Sequence, residues 1–84
     1  MEEQVTYYGL LLSGDTREKP GGLARRRILP DGGIVEETFQ RDLQWHDSSV
    51  IGDWRRGESS VELVELSEAE AERMMTRFRE KFGA

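Results

Sequence analysis

The sequence predicts one small α+β domain over residues 1–84, in which an antiparallel sheet of three or four strands carries an amphipathic C-terminal helix on one face. Two observations predict this class. Runs of β-branched, aromatic and apolar residues alternate with turn residues through most of the chain. An apolar stripe of helical spacing then follows Ser67. A short helix is expected between strands 3 and 4.

The first strand is predicted from Gln4 to Leu12. This run carries no charge and places large apolar groups on both of its faces, which is typical of a central strand. Residues 13–22 are rich in turn-forming residues and predict a mobile surface loop.

The second and third strands are predicted at Leu23–Leu29 and Ile34–Gln40. Between them, Asp31-Gly32 is a strong hairpin signal, because a two-residue type I′ turn needs positive φ at both central positions. A three-residue loop that sets Ile28 against Glu36 would be a poorer match.

The predicted hairpin register pairs opposite charges across the two strands. Arg27 faces Glu36 and Arg26 faces Glu37, so cross-strand ion pairs can explain the arginine run without a ligand. Arg25 would face Thr38. It is therefore expected, together with Arg17 and Lys19 of the loop, to form the less neutralised part of the basic run.

Residues 45–57 change period and predict the short helix. Asp47 or Ser48 can cap its start, and Gly57 stands where a C-terminal stop belongs. Its apolar face would hold Val50, Ile51 and Trp54. Residues 60–66 then return to strand character, with an imperfect alternation.

The C-terminal helix has the clearest signals. Ser67 and Glu70 fit a capping box, acidic residues fill the first turns and basic residues the later ones, and Gly83 ends the helix. The apolar stripe consists of Ala71, Met74, Met75, Phe78 and Phe82. This stripe either packs on the sheet or docks on a partner helix or a second copy.

Composition limits what so small a chain can do. Of its 84 residues, 36% are hydrophobic and 35% are charged, so the core is small and leaves little material for a deep, dry active site. A homodimer that shares apolar surface would enlarge that core. The absence of cysteine excludes disulfides and thiolate metal sites, and it fits a reducing compartment.

We expect a cytoplasmic protein with no membrane partner. The N-terminus, Met1–Gln4, is acidic where a signal peptide would be basic. The apolar run Leu10–Leu12 is too short for a signal core or a membrane span. The net charge of −5 also argues against a general polyanion binder, although residues 17–27 alone carry +4.

The sequence gives no sign of catalysis, a cofactor or a metal site. His46 is the only histidine, and its neighbour Asp47 would point to the opposite face of an extended strand. No serine has a general base near it in sequence. The glycine-rich pieces at 20–22 and 31–33 lack a P-loop lysine and read as turns. We therefore predict a non-enzymatic protein with no catalytic, cofactor-binding or metal-binding residues.

The aromatic residues leave two readings open. Tyr7 and Tyr8 could stack nucleic-acid bases if they were exposed beside the arginines, but the alternating basic and aromatic stripe of such binders is missing. One of these tyrosines is expected in the core and the other at the surface. Trp45 and Trp54 either close the core or leave one ring exposed as an interface anchor.

Several short sequence motifs are spread over most of the chain. They are Tyr7-Tyr8, Lys19-Pro-Gly-Gly-Leu23, Arg25-Arg-Arg27, Phe39-x-Arg-Asp-Leu-x-Trp45 and Ser67-Glu-Ala-Glu-Ala71. In the order of these motifs, the chain resembles a group of short actinobacterial proteins of unassigned function. The resemblance implies a complete protein and not a fragment of an enzyme, and it implies no functional residues.

Together these patterns predict a small binding protein that acts through protein–protein contact, with a homodimer as one possible form. The candidate binding surface comprises Arg17, Lys19, Arg25, Tyr8, Trp54, Arg55 and Arg56. The alternative is a nucleic-acid or phosphate-anion binder that uses the arginine-rich loop and strand. Convergence of the basic residues with an exposed tyrosine would favour that alternative.

Overall fold

The computed structural model describes residues 2–12 and 14–83. Within these ranges the elements, in chain order, are β1 (Gln4–Leu11), β2 (Gly22–Ile28), β3 (Ile34–Phe39), β4 (Trp45–Asp47), α1 (Val50–Arg55), β5 (Glu62–Leu66) and α2 (Glu68–Phe82). All strand pairs are antiparallel, and the strands lie in the order β4-β3-β2-β1-β5. The α+β class, the antiparallel sheet and the C-terminal helix are therefore confirmed, and β1 is next to the centre of the sheet.

The described residues form five strands where the sequence predicted three or four. The additional strand is β4, which has only three residues and pairs with β3 through Phe39–Trp45, Thr38–His46 and Glu37–Asp47. So short a strand cannot display an alternating pattern, which is why the sequence does not reveal it. The short helix α1 consequently follows the fourth strand and not the third.

The two helices lie on opposite faces of the sheet, and each covers its own apolar cluster. The cluster beneath α2 contains Leu23, Phe39, Leu66, Ala71 and Met74. The cluster beneath α1 contains Tyr8, Ala24, Ile51 and Leu63. Because neighbouring residues of a strand point to opposite faces, Leu23 and Ala24 of β2 serve different clusters.

The β2–β3 hairpin differs from the predicted one. The Gly32 N–H donates to the Leu29 carbonyl (2.9 Å) and the Leu29 N–H donates to the Gly33 carbonyl (2.8 Å). Gly32 has φ +90°, and Asp31 is not among the residues with positive φ. This is a three-residue loop with a left-handed third residue, and not a type I′ turn.

Proline explains the change of loop. Pro30 has its φ fixed near −65°, the value that the second position of a type I turn requires. The Gly33 N–H also donates to the Asp31 side chain (2.8 Å), which fixes the turn further. The register therefore shifts by one residue, so that Ile28 pairs with Ile34.

The β3–β4 hairpin repeats this loop with a different residue at its strained position. The Leu43 N–H donates to the Gln40 carbonyl (2.9 Å), and the Gln40 N–H donates to the Gln44 carbonyl (3.0 Å). Leu43 has φ 64° and is the only described non-glycine residue with positive φ. Its side chain packs against the α2 cluster, which offsets the cost of the left-handed backbone.

The helix α2 has the predicted ends, and four of the five residues of the predicted stripe belong to the α2 cluster or pack against it, whereas Phe82 does not. The Glu70 N–H donates to Ser67 Oγ (3.1 Å), and the Ser67 N–H donates to Glu70 Oε1 (3.0 Å), which completes the capping box. Gly83 caps the C-terminus. Ala71 and Met74 are buried, and Met75 and Phe78 pack against the same cluster.

The short helix α1 depends on two glycines. Gly57, with φ +75°, follows its C-cap, as the sequence predicted for a stop. A Cβ on Gly52 would lie 3.3 Å from Glu36 Oε1, so this glycine lets the helix approach the charged side chain beneath it. Among the described residues, neither helix is long and apolar enough to cross a membrane.

Candidate functional site

The arginine run of β2 is neutralised inside the sheet, although by different partners than predicted. Arg25 Nε lies 2.8 Å from Glu37 Oε1, and Arg27 Nη1 lies 3.2 Å from the same oxygen. Arg27 also pairs with Glu3. On the opposite face, Arg26 pairs with Glu36 at 3.6 Å. The predicted pairs Arg27–Glu36 and Arg26–Glu37 are wrong because the register is shifted by one residue.

Arg25 was expected to be the least neutralised arginine of the run, and this expectation is wrong. In the shifted register it lies directly opposite Glu37. Its guanidinium also stacks on the ring of Trp45, with the central carbon 4.0 Å from the ring centroid. The side chain is therefore part of the sheet's own packing and is not offered to a ligand.

Glu37 is the buried centre of this charge cluster, with only 9% of its surface exposed. Burial by itself raises the pKa of a carboxyl group, but the hydrogen bonds from Arg25 and Arg27 outweigh it and lower the pKa of Glu37 below its ordinary value of 4.5. The carboxylate is thus charged at neutral pH and shared by two guanidinium groups.

The other predicted site residues do not form one surface. Tyr8 is buried beneath α1, with its ring 6.1 Å from that of the half-buried Trp54. Arg55 is exposed on the same side. Arg56 is paired with Asp53 at 2.6 Å and with Glu58. The patch of arginines beside an exposed tyrosine that would favour a nucleic-acid binder is therefore not formed around Tyr8.

Arg17 and Lys19 lie in the loop between β1 and β2, where both are exposed. The predicted loop spans residues 13–22; Ser13 lies outside the described residues, and Gly22 already belongs to β2. The Lys19 N–H donates to the Thr16 carbonyl (3.0 Å), forming a small turn. The mobility of this loop stays a prediction.

This loop folds back over the face of the sheet that carries α2. Pro20 rests on Gly9, where an added Cβ would lie 2.7 Å from Pro20 Cγ. Arg17 Nη1 reaches β5 and donates to the backbone carbonyl of Glu65 (3.0 Å). The loop thereby forms a wall opposite α2 and covers a main-chain acceptor of an edge strand.

A groove of about 550 Å³ lies between this loop and α2. Its lining residues are Arg17, Glu18, Pro20, Leu66, Glu70, Arg73, Met74, Thr76, Arg77 and Glu80. We call Pro20, Leu66 and Met74 the groove floor, and Arg17, Arg73 and Arg77 the groove arginines. All three groove arginines are exposed. Within residues 2–12 and 14–83, none of them forms a salt bridge.

In the sequence, Arg73 and Arg77 are explained by the dipole of the helix, and the predicted binding surface does not include them. Their spacing of four places both on one side of α2. The sequence does not indicate where the loop lies. Arg17 lines the groove opposite this side of α2 because the loop folds over the sheet, with Pro20 packed on Gly9.

Glu70 lies near arginines of both walls of the groove. Its pKa is lowered first by the hydrogen bonds from the backbone and side chain of Ser67, and further by the positive charges of Arg17 and Arg73. The carboxylate is therefore held in the capping box with arginines from both walls nearby. It is the least available of the groove carboxylates for binding a cation from another molecule.

His46 pairs with a different carboxylate from the one adjacent to it in sequence. Its Nε2 lies 2.7 Å from Asp42 Oδ2, and this hydrogen bond lowers the pKa of Asp42. Both side chains are about half exposed. Among the described residues, no three His, Cys, Asp or Glu side chains form a cluster that could hold a metal ion.

No family model matches the chain, and no curated protein or solved structure is significantly similar to it.

Proposed function

We propose that this protein is a non-enzymatic interaction module that binds another protein through the groove between the 14–20 loop and α2. The observation that supports this most is an open apolar floor flanked by arginines from both walls, without a salt bridge to any described residue. Arginine beside apolar surface is typical of protein interfaces. We retain a cytoplasmic location as part of the proposal.

The alternative, a nucleic-acid or phosphate-anion binder, relied on the arginine-rich loop and strand. Arg25 and Arg27 share the carboxylate of Glu37, and Arg26 pairs with Glu36. The net charge of −5 also opposes a long polyanion. Protein–protein contact is therefore the function that we favour.

Site-specific photocrosslinking in the native host tests the proposal. A photoreactive amino acid replaces Thr76, which lines the groove, or Arg55, which is exposed at the C-terminal end of α1 on the opposite face. We expect a discrete protein adduct from position 76 and none from position 55. An adduct of twice the chain's mass would identify a homodimer.

Two outcomes would count against this function. One is equal labelling from both positions, which would indicate non-specific contact. The other is an adduct at position 76 that nuclease treatment removes, which would support the nucleic-acid alternative.

A further inference from the structure

We propose that the occupant of the groove is a short acidic segment of a partner protein, with one apolar side chain on the groove floor and carboxylates at the groove arginines. This inference rests on the proposed function and adds the chemistry of the partner. It follows from the order of charges along α2, from the composition of the floor and from the position of Arg17 on the opposite wall.

The charges on the groove side of α2 are arranged with the basic residues in the middle. Glu70 and Glu80 stand at the two ends, about 15 Å apart along the helix axis, and Arg73 and Arg77 stand between them, about 6 Å apart. Because the ends are acidic, a long polyanion would meet repulsion at both of them. The loop wall adds Glu18 beside Arg17, so the whole lining holds three arginines and three glutamates, and its basic part is confined to the middle of α2 and Arg17. A segment with two or three carboxylates is short enough to match that basic part.

The arginines differ in how far they are already engaged. Glu70 accepts the Ser67 N–H in the capping box and lies near Arg17 and Arg73, so part of the charge of those two is already balanced. Arg77 stands seven residues from Glu70, about 10 Å along the helix axis. It forms no salt bridge to any described residue, so we expect it to bind a new carboxylate, which a guanidinium can hold through two parallel hydrogen bonds.

The groove floor adds an apolar requirement. Met74 and Leu66 are buried members of the α2 cluster, and Pro20 covers Gly9 beside them. An apolar side chain between two acidic ones would lie on this floor while its neighbours reach the two walls. Methionine can adjust its shape to side chains of different form, so the floor selects for apolar character more than for one residue type.

Peptide display on the full chain tests this inference. A random peptide library is selected on the wild type and, separately, on Thr76→Trp, in which a bulky ring fills the groove from an exposed helix position. We expect the peptides that depend on an open groove to be enriched in Asp and Glu on either side of an apolar residue. The affinity of one selected peptide is then measured by fluorescence anisotropy.

The matched variants are Arg77→Glu and Arg79→Glu, which make the same change of charge on α2. Only Arg77 lines the groove. We expect Arg77→Glu to weaken the selected peptide by roughly tenfold or more and Arg79→Glu to change it by less than about threefold. Arg73→Glu repeats the test at the second arginine of this wall, and circular dichroism verifies that each variant is folded.

The inference is overturned if the selected peptides lack acidic residues, or if Arg77→Glu and Arg79→Glu weaken the binding of the selected peptide equally. It is also overturned if the wild type and Thr76→Trp enrich the same peptides, or if an oligoglutamate or a single-stranded oligonucleotide binds more tightly than the selected peptide. Should crosslinking at position 76 still yield a protein adduct in these cases, only the acidic occupant is wrong and the proposed function stands.

Discussion

At the scale of single residues, Glu37 is a buried carboxylate that two arginines of the sheet contact. Its buried carboxylate accepts hydrogen bonds from Arg25 and Arg27, which face the same side of the sheet. Removing one partner of a buried ion pair leaves the other partners uncompensated, so the cost exceeds that of an exposed pair. The three consecutive arginines are therefore a structural feature of the hairpin.

Replacing this carboxylate with an amide should destabilise the protein in a pH-dependent way. We expect Glu37→Gln to lower the free energy of unfolding by about 1–3 kcal/mol at neutral pH. The pKa of Glu37 is lowered in the folded state, so its contribution is fully present above the ordinary value of 4.5 and is lost as the pH falls through the folded-state pKa. Urea denaturation of both proteins at neutral and acidic pH measures this difference.

The matched control for this prediction is Glu36→Gln on the other face. The Arg26–Glu36 pair is 3.6 Å apart, too far for a hydrogen bond, and the Glu36 side chain is 23% exposed against 11% for Glu37, so we expect a loss below about 1 kcal/mol. If the difference in the free energy of unfolding between wild type and Glu37→Gln stays constant from neutral to acidic pH, the assigned role of Glu37 is contradicted.

Leu43 offers a second test at the residue scale, because its backbone lies in the left-handed region. Alanine is normally more stable than glycine at an ordered position, but at positive φ the order reverses. We expect Leu43→Gly to be more stable than Leu43→Ala by up to about 1 kcal/mol in urea denaturation. Both variants lose the packing of the Leu43 side chain beyond Cβ, so alanine equal to or better than glycine would show that Leu43 is not strained.

Much at this scale could be predicted from the sequence, and the failures have local causes. The capping box of α2, its apolar stripe and the stop at Gly57 follow from short-range patterns, and the structure contains all three. The predicted glutamate partners of the arginines were wrong, because the register of the β2–β3 hairpin differs from the predicted one by one residue. The signal that could have corrected them was Pro30, whose fixed φ favours the three-residue loop over a type I′ turn.

At the scale of elements, the groove depends on the contact between the β1–β2 loop and the sheet. Gly9 and Pro20 make this contact, and only glycine leaves room for the proline ring. The sequence indicates correctly that the loop consists of turn-forming residues. It does not indicate that the loop lies over the face of the sheet that carries α2. The contact joins two segments that have no shared local pattern, whereas the predicted elements all rest on local patterns.

We expect Gly9→Ala to destabilise the protein by about 1–3 kcal/mol, because the added methyl group overlaps Pro20. The same substitution in a Pro20→Gly background should cost less, since the overlapping ring is absent. Urea denaturation of the four proteins forms a double-mutant cycle. An equal cost of Gly9→Ala in both backgrounds would mean that Pro20 does not rest on Gly9.

At the scale of the whole molecule, the distribution of charge separates two uses of arginine. Arg25 and Arg27 contact Glu37 and stabilise the sheet, whereas the groove arginines surround an apolar floor. The chain as a whole carries a net charge of −5. Net charge and the basic run were visible in the sequence, but the division of the arginines became visible only with the register of β3 and the path of the loop.

This charge distribution predicts weak binding to polyanions. We expect no retention of the protein on heparin at about 0.1 M salt, because an extended polyanion meets the acidic ends of the groove and the negative net charge. Elution from a heparin column in a salt gradient measures this. Retention that persists well above that salt concentration would favour the nucleic-acid or phosphate-anion alternative.

The division of the arginines can be measured directly by the exchange of their side-chain Nε–Hε protons with water, observed by NMR near neutral pH. Arg25 and Arg27 donate through Nε to Glu37 and Glu3, respectively, so their protons should exchange slowly. Arg73 and Arg77 form no salt bridge to any described residue, so theirs should exchange at the rate of a free arginine. Fast exchange at Arg25 and Arg27, with protection at Arg73 and Arg77, would contradict the division on which the proposed groove depends.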